Sequence, residues 1–137
     1  MAKDIYHNHV KEALLKDGWT VTDDPFVLLL ETERWEIDLG AEKILTAERG
    51  SEKIAVEVKS FLTRSRSYEF HRAFGQYMTY EEALWETEPE RRLFLAVPSD
   101  IFDTFFSRPF YQRLLTRRGL KLLVFDPEKA EVVLWKE

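Results

Sequence analysis

Glu57 and Lys59 stand two positions apart in an otherwise apolar run, Ile54-Ala55-Val56-Glu57-Val58-Lys59. Because side chains alternate across a strand, these two charged groups emerge on one face, while Val56 and Val58 point to the other. A carboxylate and an amine held at fixed separation could bind a divalent cation and stabilise negative charge on a phosphoryl group. Taken alone, the tripeptide fits an ion pair on a solvated sheet face equally well.

Asp38 is the best candidate for a second carboxylate, because apolar side chains flank it in Trp35-Glu36-Ile37-Asp38-Leu39. A turn at Arg49-Gly50-Ser51 would send the two arms of a hairpin back antiparallel. Asp38 would then approach the Lys59 end of the partner strand. The pattern therefore predicts that Asp38 and Glu57 lie close together.

These side chains suit a particular chemistry. Asp38, Glu57 and the carbonyl of Val58 could share one Mg²⁺ or Mn²⁺, since both cations prefer oxygen ligands. Such a cation polarises a phosphodiester and lowers the pKa of a bound water. Lys59 could orient that water or neutralise charge in the transition state. The site predicted is that of a metal-dependent nuclease.

The composition is that of one compact domain spanning residues 1–137. Hydrophobic residues make up 45% of the chain, including ten Phe and four Trp, so a substantial core can form. The absence of Cys excludes disulfides, thiolate zinc sites and Cys nucleophiles. No membrane span or secretory signal is visible, so a cytoplasmic location is expected.

The charge distribution indicates which kind of partner the protein could bind. A formal net charge of −5 usually argues against nucleic acid. The basic residues nevertheless concentrate in 59–72 and 108–121, whereas the acids concentrate in 23–57 and 81–90. Solvated helix faces are the plainer interpretation of these runs. An acidic centre beside basic stretches would also suit a metal-dependent enzyme that acts on a polyanion.

The periodicity predicts the order α-β-β-β-α-β followed by α-β-β, a mixed α/β domain. Asp4 should cap a first helix that ends at Gly18, and Ser67 should cap a long helix running to about Trp85. The remaining segments are predicted as strands at 26–31, 53–61, 93–97 (buried, of the parallel type), 120–125 and 132–135, an extended or irregular stretch at 35–48, and helices from Asp100 and over 109–118.

The order of these elements, with Asp38, Glu57-Val58-Lys59 and a helix Gln76, resembles the PD-(D/E)XK nuclease superfamily, with Ile37 in place of its proline. A closer resemblance, to the XisH family, covers nearly the whole chain. The segments that carry it are Ala2-Lys3-Asp4, Glu36-Ile37-Asp38-Leu39-Gly40-Ala41-Glu42-Lys43, Lys53-Ile54-Ala55-Val56-Glu57-Val58-Lys59-Ser60-Phe61, Gly75-Gln76-Tyr77 and Leu95-Ala96-Val97-Pro98 with the Phe-rich stretch after it.

This resemblance implies a fold and a set of partners. The fold is a single-domain, restriction-endonuclease-like α/β fold with a mixed sheet flanked by helices. The XisH family is named for controlling excision of the fdxN element from cyanobacterial DNA. DNA, a recombinase and a companion protein called XisI are the implied partners. Superfamily members often pair to handle two strands, so a homodimer is a further expectation.

The resemblance also assigns roles to individual residues. Asp38 and Glu57 match the metal-binding acids, and Lys59 matches the catalytic lysine. Gln76 falls where many superfamily members carry a helix Gln that supports the site. Glu12 matches the acid that some branches place on the first helix, although a surface Glu is an equal alternative.

Two functions of different class follow. The first is a Mg²⁺- or Mn²⁺-dependent endodeoxyribonuclease acting with a recombinase in programmed excision of a DNA element. The second is a catalytically silent, nuclease-like accessory protein that recruits or directs the recombinase through protein contacts. The complete Asp/Glu/Lys set favours the first, whereas net acidity and small size favour the second. A regulatory protein whose acids bind nothing is the third alternative.

Other candidate residues carry weaker signals. His9 and Glu12 are three residues apart on the first helix, but no third metal ligand lies nearby in the sequence. His71 follows a basic stretch and reads more readily as a surface residue. The aromatic run from Phe105-Phe106 to Tyr111 is predicted to be mostly core, with a partner-binding patch as the alternative.

Overall fold

A six-stranded mixed sheet forms the centre of the computed structural model, which describes residues 4–46 and 50–137. The helices are α1 (His7–Lys16), α2 (Arg66–Thr87), α3 (Ser99–Ile101) and α4 (Pro109–Arg118), with a π-helical turn at Phe102–Phe106. The strands are β1 (Thr20–Asp23), β2 (Phe26–Leu30), β3 (Glu33–Ile37), β4 (Leu39–Thr46), β5 (Gly50–Val58), β6 (Arg92–Pro98), β7 (Leu122–Asp126) and β8 (Glu131–Lys136).

The strand order is β1-β4-β5-β6-β7-β8, and β2 and β3 form a separate hairpin. Strands β5, β6 and β7 run parallel, whereas β1, β4 and β8 pair antiparallel with their neighbours. The mixed α/β class is confirmed, as is the buried parallel strand predicted at 93–97. No described helix is long and apolar enough to cross a membrane.

Side chains of β5 alternate between two cores, one on each face of the sheet. Ile54, Val56 and Val58 pack with α1, whereas Ala55 packs with α2, α4 and the β2–β3 hairpin. Glu57 lies on the same face as Ala55, because residues two apart share a face. The alternation expected from the sequence therefore directs the carboxylate toward α2.

Several element boundaries differ from the predictions. The described part of the segment predicted as extended or irregular, 35–46, is extended, because it contains the end of β3 and all of β4. Helix α1 begins at His7, and the carboxylate of Asp4 accepts a hydrogen bond from Tyr6 N–H. Ser65, not Ser67, caps α2, because its hydroxyl accepts from Tyr68 N–H at 3.2 Å.

Two further differences concern the hairpin turn and the aromatic run. Gly50 and Ser51 belong to β5, and the predicted turn residue Arg49 lies outside the described residues. Phe105 and Phe106 are at most 1% exposed and pack in the α2 core, so a partner-binding patch at these two residues is wrong.

Candidate functional site

The register of β4 and β5 brings Asp38 and Glu57 together. Leu39 pairs with Val56, and Asp38 occupies the bend between β3 and β4, one residue before that pair. Asp38 therefore lies opposite Glu57, near the carboxyl end of β5. The hairpin predicted from the sequence places these two acids as expected.

Reciprocal hydrogen bonds hold the two acidic side chains. Val58 N–H donates to Asp38 Oδ2 at 2.8 Å, and Asp38 N–H donates to Glu57 Oε1 at 3.3 Å. Each carboxylate is thus fixed by the backbone of the strand that carries the other. Lys59 Nζ lies 3.5 Å from Glu57 Oε2, on the same side of β5.

Burial controls the protonation of this pair. Burial raises the pKa of Glu57 to about 8, and the negative charge of Asp38 adds to the effect, while Lys59 opposes it. Burial also raises the pKa of Asp38, although the hydrogen bond from Val58 N–H acts in the opposite direction. The pair therefore binds a proton readily. A cation can take the place of this proton, because the cation also compensates the buried negative charge.

A cavity of about 320 Å³ opens beside these residues. Helix α2 contributes Arg72, Gln76 and Tyr80 to its wall. Gln76 Oε1 is buried without a hydrogen-bond partner among the described residues. Burial, with the negative charges of Glu57 and Asp38, raises the pKa of Tyr80 to about 12. Gln76 thus lines the same cavity as the acids and presents an unpaired oxygen, while the supporting role that the resemblance implies for it stays a prediction.

The cavity is also lined by groups that sequence reasoning missed. His7 Nε2 lies 2.7 Å from Asp24 Oδ1, and Lys11 Nζ donates to Asp24 Oδ2 at 3.0 Å. Burial would raise the pKa of Asp24, but the hydrogen bonds from Lys11 and His7 outweigh it and hold that pKa below its usual value. Asp4 also lines the cavity, and its carboxylate accepts from Ser60 N–H at 3.0 Å.

Only part of this arrangement could be predicted from the sequence. Asp4 and His7 are three residues apart, a spacing that would put two side chains on one face of a helix, although α1 begins only at His7. The contact between His7 and Asp24 joins residues 17 positions apart, and no local pattern reports it.

The remaining sequence candidates lie elsewhere. Glu12 is exposed on α1 and forms an i,i+4 ion pair with Lys16 at 3.5 Å. It is therefore a surface residue, which was the alternative to a role in the site. It is absent from the cavity wall, to which α1 contributes His7. His9 packs edge-on against Tyr6, and His71 is exposed on α2.

The donor set fits a small, hard cation. Asp38, Glu57 and Gln76 present carboxylate and amide oxygens, which Mg²⁺ and Mn²⁺ prefer. Over residues 4–46 and 50–137, no three His, Asp or Glu side chains converge as a complete metal-binding group. A cation between the two acids would therefore need the Val58 carbonyl and water as further ligands, as Mg²⁺ sites commonly do.

Comparisons with known proteins show what this chain is similar to. A family model described as XisH protein matches residues 1–133. Two crystal structures are 40% identical, with TM-scores of 0.88, over 98% of this chain and 100% of theirs. They are an XisH family protein from Nostoc punctiforme PCC 73102 and a fdxN element excision controlling factor protein from Anabaena variabilis. Among the curated proteins, none matches the chain.

Proposed function

The chain belongs to the XisH family, and we propose that it controls the excision of a DNA element through a nuclease-type divalent-cation site. The relative from Anabaena variabilis carries the name of a fdxN element excision controlling factor, and the similarity to it extends over 98% of this chain. That coverage supports a related role for this protein.

One observation carries the catalytic part of the proposal. Asp38 and Glu57 are held by reciprocal backbone hydrogen bonds at 2.8 and 3.3 Å, on the wall of an open cavity. Two carboxylates with raised pKa values are costly to bury side by side. A function that uses a cation accounts for their placement.

Each residue then has a role in phosphodiester hydrolysis. Asp38 and Glu57 would hold Mg²⁺ or Mn²⁺, with the Val58 carbonyl as a third ligand. The bound cation supplies Lewis-acid polarisation and a lowered pKa for water. Lys59 neutralises charge on the phosphoryl oxygens, because its ammonium lies beside Glu57. Gln76 positions water or substrate through its unpaired carbonyl oxygen.

The same constellation supports assignment to the PD-(D/E)XK superfamily. Asp38 precedes a hairpin whose second strand ends in Glu57-Val58-Lys59, and Gln76 follows in the next helix. A recombinase and an XisI-like companion are the partners we propose for this activity, together with DNA. A homodimer would present two such sites to two strands.

A catalytically silent accessory role is the second candidate, and the net charge of −5 favours it. An acidic protein binds DNA weakly without a cation, since phosphate contacts dominate affinity for nucleic acid. In that role, the protein would direct the recombinase through protein contacts, and the acids would serve only to fix the hairpin.

A cleavage assay distinguishes the two candidates. Purified wild-type protein is incubated with duplex, branched and single-stranded DNA in Mg²⁺, Mn²⁺ or EDTA, beside Asp38→Asn. The catalytic proposal predicts cation-dependent products with wild type and none with the variant. No products on any substrate would favour the accessory role, and undiminished activity of Asp38→Asn would remove the site from the chemistry.

A further inference from the structure

We propose that the amino-terminal half of α2 guides a single strand of nucleic acid to the cavity, with Arg72 on a phosphate and Tyr68 stacked on an unpaired base. This inference rests on the proposed function, since it names the form of DNA that the site receives. It adds a binding surface outside the acidic pair.

Four side chains form a stripe along α2. Tyr68, Arg72, Gln76 and Tyr80 are spaced four residues apart, so each side chain neighbours the next in a stripe that turns about 40° around the helix at each step. The last three line the cavity that contains Glu57. Tyr68 continues the stripe one turn beyond Arg72, toward the helix start, and its side chain is 61% exposed. The stripe therefore leads from solvent to the acidic pair.

The charges along this stripe suit a phosphate. Arg72 forms no ion pair within 4 Å with any carboxylate of the part of the chain that the structure describes, whereas Lys59 contacts Glu57. Arg64 and Arg66 precede it, with Glu69 as the one acid between 64 and 72. This local excess of positive charge stands out in a chain of net charge −5. Arg72 thus has its guanidinium available for a phosphate beside the cation site.

The exposed ring favours a single strand over a duplex. Stacking on an aromatic side chain requires an open base face, and neighbouring pairs cover those faces inside a duplex. Tyr68 makes no ring contact with another aromatic residue of 4–46 and 50–137, unlike Phe70 two residues later. Its ring is therefore free to receive an unpaired base.

A rival basic surface lies on α4. Arg113, Arg117 and Arg118 surround a smaller hollow of about 180 Å³, beside the exposed ring of Phe110. That hollow is lined by α4 residues alone and contains no carboxylate. The α2 stripe is preferred because it ends at the acidic pair, and α4 supplies matched control variants.

The test is equilibrium binding of a fluorescent single-stranded oligonucleotide to the full chain in EDTA, with a blunt duplex of the same sequence in parallel. Tyr68→Ala should weaken single-strand binding about tenfold, and Tyr68→Phe should retain it because the ring remains. Arg72→Ala should weaken binding and lower the slope of log K against log salt by about 0.7. Phe110→Ala and Arg113→Ala should bind as wild type does.

Several results would overturn the inference. They are wild-type affinity in both Tyr68→Ala and Arg72→Ala, a larger loss in the α4 variants, tighter binding of the duplex than of the single strand, or no single-strand binding by wild type. Thermal unfolding of each variant controls for folding, and the exposed position of Tyr68 predicts an unchanged midpoint.

The binding test fails independently of the proposed function, because EDTA removes any cation-dependent step. Binding that depends on Tyr68 and Arg72, in a protein that cleaves nothing, would support this surface and contradict the nuclease. Cation-dependent cleavage by a protein whose binding ignores both residues would support the nuclease and contradict this surface.

Discussion

Glu57 and Glu81 are two buried glutamates that look alike until their surroundings are compared. Each is 8% exposed, and burial raises the pKa of both. Each has a lysine nearby, with Lys59 Nζ at 3.5 Å from Glu57 and Lys121 Nζ at 4.0 Å from Glu81. A buried glutamate beside a half-buried lysine is thus present twice in the described chain.

The difference lies in what else each carboxylate meets. Glu57 faces a second acid, Asp38, on the wall of an open cavity. Glu81 lies 3.4 Å from the Tyr77 hydroxyl, which itself bonds the Leu93 carbonyl at 3.0 Å. Glu81 therefore belongs to a polar network that ties α2 to the sheet. A second acid and an accessible cavity, rather than burial, distinguish the candidate site.

The largest expected contrast is between the two lysines. Lys59→Ala should lower cation-dependent cleavage by about 10²- to 10³-fold, because the charge that faces the phosphoryl oxygens is lost. Lys121→Ala removes the equivalent partner of Glu81 and should cleave nearly as wild type does. Initial rates of cleavage on one DNA substrate provide the measurement. Equal losses of rate in the two variants would contradict the distinction between the Glu57 and Glu81 regions.

A second contrast concerns stabilisation by the cation. Mg²⁺ or Mn²⁺ at a hundredfold excess over its dissociation constant should raise the free energy of unfolding of wild type by about 2.7 kcal/mol. Glu57→Gln should abolish this gain, because one carboxylate ligand is missing, whereas Glu81→Gln should keep it. Thermal melts with and without the cation report the effect. A gain that persists in Glu57→Gln would place the cation elsewhere.

The pH dependence of the cation-free protein follows from the raised pKa of Glu57. Its carboxyl keeps a proton in the folded chain up to about pH 8, whereas the unfolded chain releases it near 4.5. The folded state binds more protons in this window, so stability is greatest at its acidic end and falls as pH rises.

The slope from this one group is at most about 1.4 kcal/mol per pH unit. Urea titrations between pH 5 and about pH 8 should show the decline, and Glu57→Gln should reduce it. Saturating Mg²⁺ should restore stability at the alkaline end in wild type, since the cation binds the ionised pair. A flat profile in cation-free wild type would contradict the assignment of a raised pKa.

The smallest effect is expected at the structural network. The Tyr77 hydroxyl accepts a hydrogen bond from Lys121 N–H at 3.1 Å and donates one to the Leu93 carbonyl. Tyr77→Phe therefore leaves both of these backbone groups without this partner. A loss of about 1–3 kcal/mol in the free energy of unfolding should result. Cation-induced stabilisation should survive unchanged, which calorimetry of both proteins can compare. Loss of that stabilisation would show that the two regions are coupled.

Local patterns predicted that Asp38 and Glu57 lie close together, as they do. Asp38 and Glu57 meet because strand alternation and an antiparallel hairpin suffice to place them, and both are visible in the sequence. The parallel strand β6 was equally clear, since an apolar run bounded by Arg92 and Pro98 suits a strand buried on both faces.

The position of the other lining residues depends on how the elements pack. His7 meets Asp24 because α1 packs against β1, which Asp24 follows, and a helical wheel does not fix how a helix is rotated against a sheet. The same freedom explains why Glu12 faces solvent while His7, on the same helix, lines the cavity. The cap of α2 differed by two residues because Ser65 and Ser67 carry the same signal.

The direct test of the central claim is the anomalous scattering of Mn²⁺ in crystals of the wild-type protein, with Asp38→Asn crystals treated identically. A cation shared by the two acids should give a peak about 2.1 Å from carboxylate oxygens of both Asp38 and Glu57, and the variant should give no peak there. Wild-type crystals in millimolar Mn²⁺ that show no peak between these two side chains, or a peak that survives in Asp38→Asn, would contradict the claim.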